Sequence, residues 1–296
     1  MGSLMQDSNH HKCRTLDTFA FVALLIVPGD GADGIIGWLF TMKISLVNIE
    51  EWKQFVAEPD RLIGRIENEV FIVRNFMAPE LVDAFKAFCL KFSKAQEASW
   101  HPCLDGCPDY HRIHHQYPQA YVKSTQHGYY FHPWNEHFRQ LDGFSRLAEI
   151  FELKAKAAGG NAGDFMNNLP SEGPIARIVC HQYPPGGGGQ EEHIDPVSEF
   201  AKVQTIIQAA DPGVDYHEGG LYINDPEFGI IRVDPLTRKG DLVLASPGVK
   251  HGVAPIDPDE PLQWDSTKGR WIIMPIIIHS DHVKDPSIKP VRTTKQ

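Results

Sequence analysis

The sequence predicts an α+β protein whose core is a jelly roll of eight short strands, with N-terminal helices packed on one of its sheets. Three observations carry this expectation. From Pro174 onward, short apolar β-type runs recur at close spacing between Gly, Pro and Asp turns, the pattern of a sandwich or barrel. Before that point helical periodicity prevails, as in Glu80–Phe92, where Leu81, Phe85, Phe88 and Phe92 share one face. The chain of 296 residues, 42% hydrophobic and 22% charged, is long enough to bury one large core.

The eight runs are Ala176–Tyr183, Glu192–Asp195, Lys202–Ala209, Gly220–Asn224, Ile230–Val233, Asp241–Ala245, Gly252–Ile256 and Trp271–Ile278. A jelly roll packs such strands into two sheets and leaves a mouth at one end. Residues 42–296 then form one domain, helical over 42–173 with the strand core at 174–280. Ile49–Val56 and Glu80–Phe92 read as helices, the second with Pro79 in its first turn, where no backbone N–H is needed. A further helix over Glu136–Ala157 is stopped by Gly159-Gly160. Glu69–Val73 reads as a strand, and Trp100–Trp134, rich in His, Tyr and Pro, as an irregular stretch, either an ordered functional loop or a surface lid without ligand contact. Residues 1–41 read as an extension outside the fold, with Met42 a natural start. Their apolar run Phe19–Val27 ends at Pro28-Gly29, short of the ~20 residues a membrane span needs.

A formal net charge of -10 disfavours nucleic acid as a partner. Five cysteines without framework spacing point to a reducing, cytoplasmic setting. Cys103 and Cys107, near His101, His111, His114 and His115, lack the paired spacing of a zinc site and read as loop thiols among surface histidines. Nothing in the sequence sets an oligomeric state.

The chemistry concentrates in the stretch from Cys180 to Asp195, which contains Gly186–Gly189 and ends on His193-Ile194-Asp195. Residues two apart on a strand face the same side. An imidazole and a carboxylate so placed supply two legs of the facial triad that holds non-haem Fe(II). His251, after the apolar run Asp241–Ala245, is the candidate third leg, and Arg270 opens the last run nineteen residues later.

These four elements in this order resemble the iron(II)/2-oxoglutarate-dependent dioxygenases, whose core is a double-stranded β-helix, a cupin-like jelly roll. Tyr183 and the glycine-rich lead-in look most like the prolyl-hydroxylase branch. The resemblance implies metal ligands His193, Asp195 and His251, with Fe(II), 2-oxoglutarate and O2 as cofactor and cosubstrates, and Arg270 for the distal carboxylate of 2-oxoglutarate. Many members place Ser or Thr two residues after that arginine; Ile272 stands there, so Tyr183 and Thr205 are the candidate second donors. Asp195 keeps the carboxylate that related halogenases replace, and Ile276 stands where the nucleic-acid demethylase branch carries a second arginine.

The expected reaction is hydroxylation of an unactivated carbon in a small organic molecule, an amino acid or natural-product intermediate. The alternatives are a protein or peptide side-chain hydroxylase and a cupin-like metal protein that is not an oxygenase. Neither membrane nor nucleic acid is expected as a partner. Candidate substrate contacts are Arg112, Tyr129, Tyr130, Trp134, Arg177 and Gln190.

Overall fold

The structure, a computed structural model, describes residues 42–115 and 122–279. The expected N-terminal extension, residues 1–41, lies outside them. None of the described helices is long and apolar enough to cross a membrane.

Strand β1 (Lys43–Val47) is followed by helices α1 (Ile49–Ala57) and α2 (Pro59–Ile66), then by β2 (Glu69–Val73) and α3 (Pro79–Ala95). The Asn48 side chain caps α1 by accepting from the backbone N–H groups of Glu50 and Glu51. Pro79 opens α3 as expected, and Phe85, Phe88 and Phe92 pack their rings on Phe131 at 5.4–6.2 Å between centroids.

The stretch expected to be irregular instead contains two paired strands, β3 (Tyr110–His114) and β4 (Ser124–Phe131). Their histidines and tyrosines alternate between two buried faces, so a polar composition there conceals strand periodicity. His111 and His114, expected at the surface, are buried, as are Cys103 and Cys107. The single helix expected over Glu136–Ala157 is two, α4 (Glu136–Gln140) and α5 (Phe144–Ala157), parted where Gly143 adopts a φ of 77°. A short helix α6 (Ala162–Asn167) precedes the strand core.

Eight strands follow: β5 (Ile175–Tyr183), β6 (Gly188–His193), β7 (Gln204–Gln208), β8 (Gly220–Asp225), β9 (Gly229–Arg232), β10 (Leu242–Ala245), β11 (His251–Ile256) and β12 (Arg270–Ile278). Their order is β10-β7-β12-β5 in one half and β6-β11-β8-β9 in the other, bridged by β4. Apart from the β8–β9 hairpin, consecutive strands fall in opposite halves, which gives the core its jelly-roll-like character. β2 and β1 extend the first half beyond β10.

The two faces of that first half have different tasks. Antiparallel partners point the same way, so the register sorts the side chains. One face carries Cys180, Thr205, Leu244 and Trp271 and is covered by helices: Tyr129 on this side donates to Ser93 of α3 at 3.4 Å, and Lys86 of α3 lies over Trp271. The other face carries Arg177, Val179, His181 and Tyr183 of β5, Gln204, Ile206 and Gln208 of β7, and Arg270 of β12. It looks inward, because Gln204 and Ile206 line one cavity together with Leu221, Ile223 and His251 from the opposite half.

Candidate metal centre

His193 is the last residue of β6 and His251 the first of β11, and the two are paired in register with ring centroids 4.4 Å apart. Asp195 lies just beyond β6, in a loop rather than on the strand that the sequence predicted. Its backbone N–H donates to Pro247 O at 3.1 Å, tying the loop after β6 to the loop before β11. The result is the convergence expected of a strand pair, reached through a strand end and a loop.

Asp195 Oδ1 is 3.4 Å from His193 Nε2, and Oδ2 is 3.4 Å from His251 Nε2. One ligand atom from each residue lies within 4.8 Å of the others, the one such group of His, Cys, Asp and Glu side chains found among the described residues. The second nitrogen of each ring is directed away from the trio. His193 Nδ1 bonds the Glu191 carbonyl at 2.8 Å, and His251 Nδ1 bonds the Val249 carbonyl at 2.9 Å. A carbonyl only accepts, so each ring carries a proton on Nδ1 and turns Nε2 toward Asp195. This tautomer suits a divalent transition metal. Burial would raise the Asp195 carboxyl, yet the adjoining imidazoles hold it well below the usual carboxylate range. Burial would lower His193, but Asp195 and the Glu191 carbonyl hold it above its ordinary value.

Several inward-facing groups surround the trio. The Gln204 amide donates to Asp195 Oδ2. A bulge in β6 opposite His251–Val253 turns Gln190 to the same side as His193, where its Oε1 accepts from Tyr183 Oη at 3.1 Å. His181 lies among these groups: burial, Arg112 and Arg270 push its imidazole down to about 3, against the pull of Asp195.

Arg270 is buried at the far end of β7 from Gln204, but it is not a lone cation. Its Nε and Nη2 grip Asp234 at 2.6 and 3.1 Å, and Asp234 also accepts from Tyr216 Oη at 2.5 Å. Gln208 donates to the same tyrosine oxygen at 3.1 Å. Gly220, at a φ of 99°, makes room for this carboxylate, since a Cβ there would lie 2.2 Å from Asp234 Oδ2. Asp234 holds the guanidinium side-on. The end-on edge, Nη1 with the second N–H of Nη2, has no hydrogen-bond partner among the described residues and matches one further carboxylate.

No family model and no curated protein matches the chain, and its structural likenesses are distant ones. It is similar to a prolyl-4-hydroxylase from Pseudomonas putida, with 16% identity over 75% of this chain and 97% of that one and a TM-score of 0.47. A prolyl hydroxylase from Trichoplax adhaerens, solved with a hypoxia inducible factor oxygen degradation domain peptide fragment, has 15% identity over 81% and 97% of the chains and a TM-score of 0.46. An oxidoreductase of the 2OG-Fe(II) oxygenase family from Burkholderia pseudomallei has 12% identity over 77% and 92% and a TM-score of 0.40. The chemistry of this chain is read from its own side chains.

Of the sequence-predicted residues, His193, Asp195 and His251 meet in one cluster, with Tyr183 and Gln190 on the same inward side. Arg112, Tyr130 and Arg177 form an adjoining inward wall, and Trp134 stacks on His132 beside it at 4.9 Å. Two residues depart from expectation. Thr205 lies on the face opposite Gln204 and donates to the Pro275 carbonyl at 3.4 Å, and Tyr129 faces α3. Period-two alternation from Gln204 through Ile206 to Gln208 selects the glutamines as the inward residues of β7 and excludes Thr205. The same alternation from Arg177 to Tyr183 selects His181. Asp234, brought from a turn, carries no such local signal.

Proposed function

We propose that this chain is an iron(II)- and 2-oxoglutarate-dependent oxygenase, built on a double-stranded β-helix, that hydroxylates an unactivated carbon of a small organic molecule. The observation that carries the reading is the oriented trio: two Nε2 atoms and one carboxylate converge while both Nδ1 protons are held by backbone carbonyls. Two neutral imidazoles and a carboxylate are the donor set of the facial triad, which leaves positions for a bidentate cosubstrate and O2. With iron(II), 2-oxoglutarate and O2 bound, that chemistry inserts one oxygen atom into a C–H bond and sends the other into succinate as CO2 is lost.

The protein supplies position. His193, Asp195 and His251 would hold the metal, and Gln204 fixes the rotation of the Asp195 carboxylate. The open edge of the Arg270 guanidinium would take the distal carboxylate of 2-oxoglutarate, with Tyr183 as the second donor once its hydroxyl turns from Gln190 to the cosubstrate. Arg270 rests against the Tyr183 ring at 5.5 Å, and that contact fixes the plane of its fork. Retention of Asp195 favours hydroxylation over halogenation.

The test is stoichiometric succinate release under 18O2 with a panel of small acids and peptides, and mass spectrometry of the products. One labelled oxygen in a small molecule is expected; label confined to peptides would move the substrate to a polypeptide. His193→Ala and His251→Ala are expected to bind no Fe(II) at micromolar concentration by anaerobic calorimetry. Full iron binding by either variant would remove that ligand from the reading.

A further inference from the structure

The inward wall formed by β3, β4 and β5 treats its arginines unlike the rest of the molecule. Arg270 is neutralised by Asp234, and the partly buried Arg74 by Asp241. Arg177 is 9% exposed, and its Nε donates to His132 Nε2 at 3.1 Å. Its guanidinium lies 5.6 Å from the centre of the Tyr130 ring, and Nη1 and Nη2 have no hydrogen-bond partner among the described residues. Arg112, 5.3 Å from the same ring centre, likewise donates to an imidazole, His114 Nε2, at 2.8 Å, and to Tyr130 Oη at 3.1 Å. An imidazole that accepts from a guanidinium is neutral, so it holds the arginine in place without cancelling its charge.

Tyr110, Tyr130, Cys103 and Cys107 surround Arg177, and none of them is a carboxylate. The nearest carboxylate in this chain of contacts, Asp109, lies behind His132, 3.4 Å from its Nδ1, and is engaged by the His132 backbone N–H, Asn135 and His137. Lys154, also buried and donating to the Val203 carbonyl, can shed its proton, since burial pushes it down to about 8 against the pull of Asp195. An arginine has no such escape. Burying a charged fork without a counter-ion is costly, and in a chain of net charge -10 a carboxylate would have been easy to supply.

Position gives the charge a use. Arg177 pairs with Ile276 of β12, and Ile272 pairs with Gln208 of β7. Continuing that antiparallel register brings Gln204, the amide on Asp195, level with Ile276. Arg177 then stands two strand spacings, about 10 Å, across the sheet from Gln204. Val179, Met274 and Ile276 make the ground beside Tyr130 apolar.

We infer that the open edge of Arg177, framed by Tyr130 and Arg112, is an anion subsite that receives the carboxylate of the substrate and leaves a short apolar body to reach the metal trio. This rests on the oxygenase reading for its assignment to substrate, but the anion site itself does not. The planar two-donor edge matches a carboxylate held bidentately, and the separation of about 10 Å between the strand positions of Arg177 and Gln204 calls for a short-chain monocarboxylate.

The experiment is calorimetric titration of the full-length protein with hexanoate and, as the neutral isostere, 1-hexanol. It is run anaerobically with Fe(II) and saturating 2-oxoglutarate, and repeated on the metal-free chain. Hexanoate is expected to bind at least tenfold more tightly than hexanol. Arg177→Gln should reduce that ratio below threefold, while 2-oxoglutarate affinity stays within twofold of wild type. Arg177→Lys, which keeps the charge without the fork, should lose at least fivefold and serves if the glutamine variant does not fold. Equal binding of acid and alcohol, or a ratio that survives Arg177→Gln, would overturn the subsite. A fall in 2-oxoglutarate affinity in Arg177→Gln would assign the edge to the cosubstrate and overturn the substrate assignment. If the wild-type protein bound no iron, the oxygenase reading would fail by itself, and the metal-free titration would still decide the anion site.

Discussion

Two buried arginines face the same interior and are handled in opposite ways. At the deep end, Arg270 is locked side-on to Asp234, inside a polar network with Tyr216 and Gln208. On the β3–β5 wall, Arg177 donates to the imidazole of His132 and keeps its charge. The first arrangement stabilises the fold and leaves one edge of a neutralised fork for a ligand. The second retains positive potential at some expense in stability, as expected where a protein reserves a charge for something it binds.

The difference can be broken most forcefully at the deep end. Arg270→Met strands a buried carboxylate and is expected to lower the stability by about 3–5 kcal/mol. Adding Asp234→Asn should restore most of that loss, because the amide needs no counter-ion. Urea denaturation of the two variants checks this; a single variant as stable as wild type would mean that the ion pair does not govern this end. For the same reason, lost 2-oxoglutarate binding in Arg270→Met is informative only alongside the double variant.

Acid should act on the wall instead. Burial first, with neighbouring arginines second, pushes His114, His132 and His181 down to about 2, 4 and 3. Below the ordinary imidazole value near 6.5 the unfolded chain takes up these protons and the folded chain does not. Stability is therefore full above about pH 6.5 and falls as pH drops toward the folded-state values. By pH 5.5 each imidazole accounts for about 1.4 kcal/mol, roughly 4 kcal/mol for the three. Denaturation midpoints that stay constant from pH 7 to 5.5 would contradict a neutral wall.

A smaller effect is expected between the two regions, at the metal trio. Gln204→Leu removes the amide that orients Asp195 and should weaken Fe(II) binding about 10–100-fold. Anaerobic titration measures it, and an unchanged constant would show that Pro247 and the histidines position the carboxylate alone. The smallest effect belongs to Arg177→Met. Its charge has no carboxylate to strand, so the change in unfolding free energy should stay within about 1 kcal/mol. A loss as large as that of Arg270→Met would erase the contrast between the two arginines.

The trio was legible in the sequence because its signal is local: a His-x-Asp step, a histidine after a short apolar run, and eight such runs in succession. Even there the strand ended two residues early, and the backbone bond from Asp195 to Pro247 completed the convergence. Thr205 and Tyr129 were misplaced by one residue, which on a strand exchanges the cavity for the helix-covered face. The strands β3 and β4 were hidden because their inward and outward positions are both polar or aromatic, so alternation of hydrophobicity vanishes although alternation of side remains.

The sequence by itself determined which three side chains meet in the candidate metal centre, the strand-rich core and the presence of an arginine at the start of the last strand. The tertiary structure alone decided what the arginines are. Whether a guanidinium is cancelled or kept depends on which acceptor a distant segment delivers: a carboxylate thirty-six positions earlier for Arg270, an imidazole for Arg177. Ligand spacing is a property of a few consecutive residues, whereas the charge state of a buried site is a property of everything packed around it.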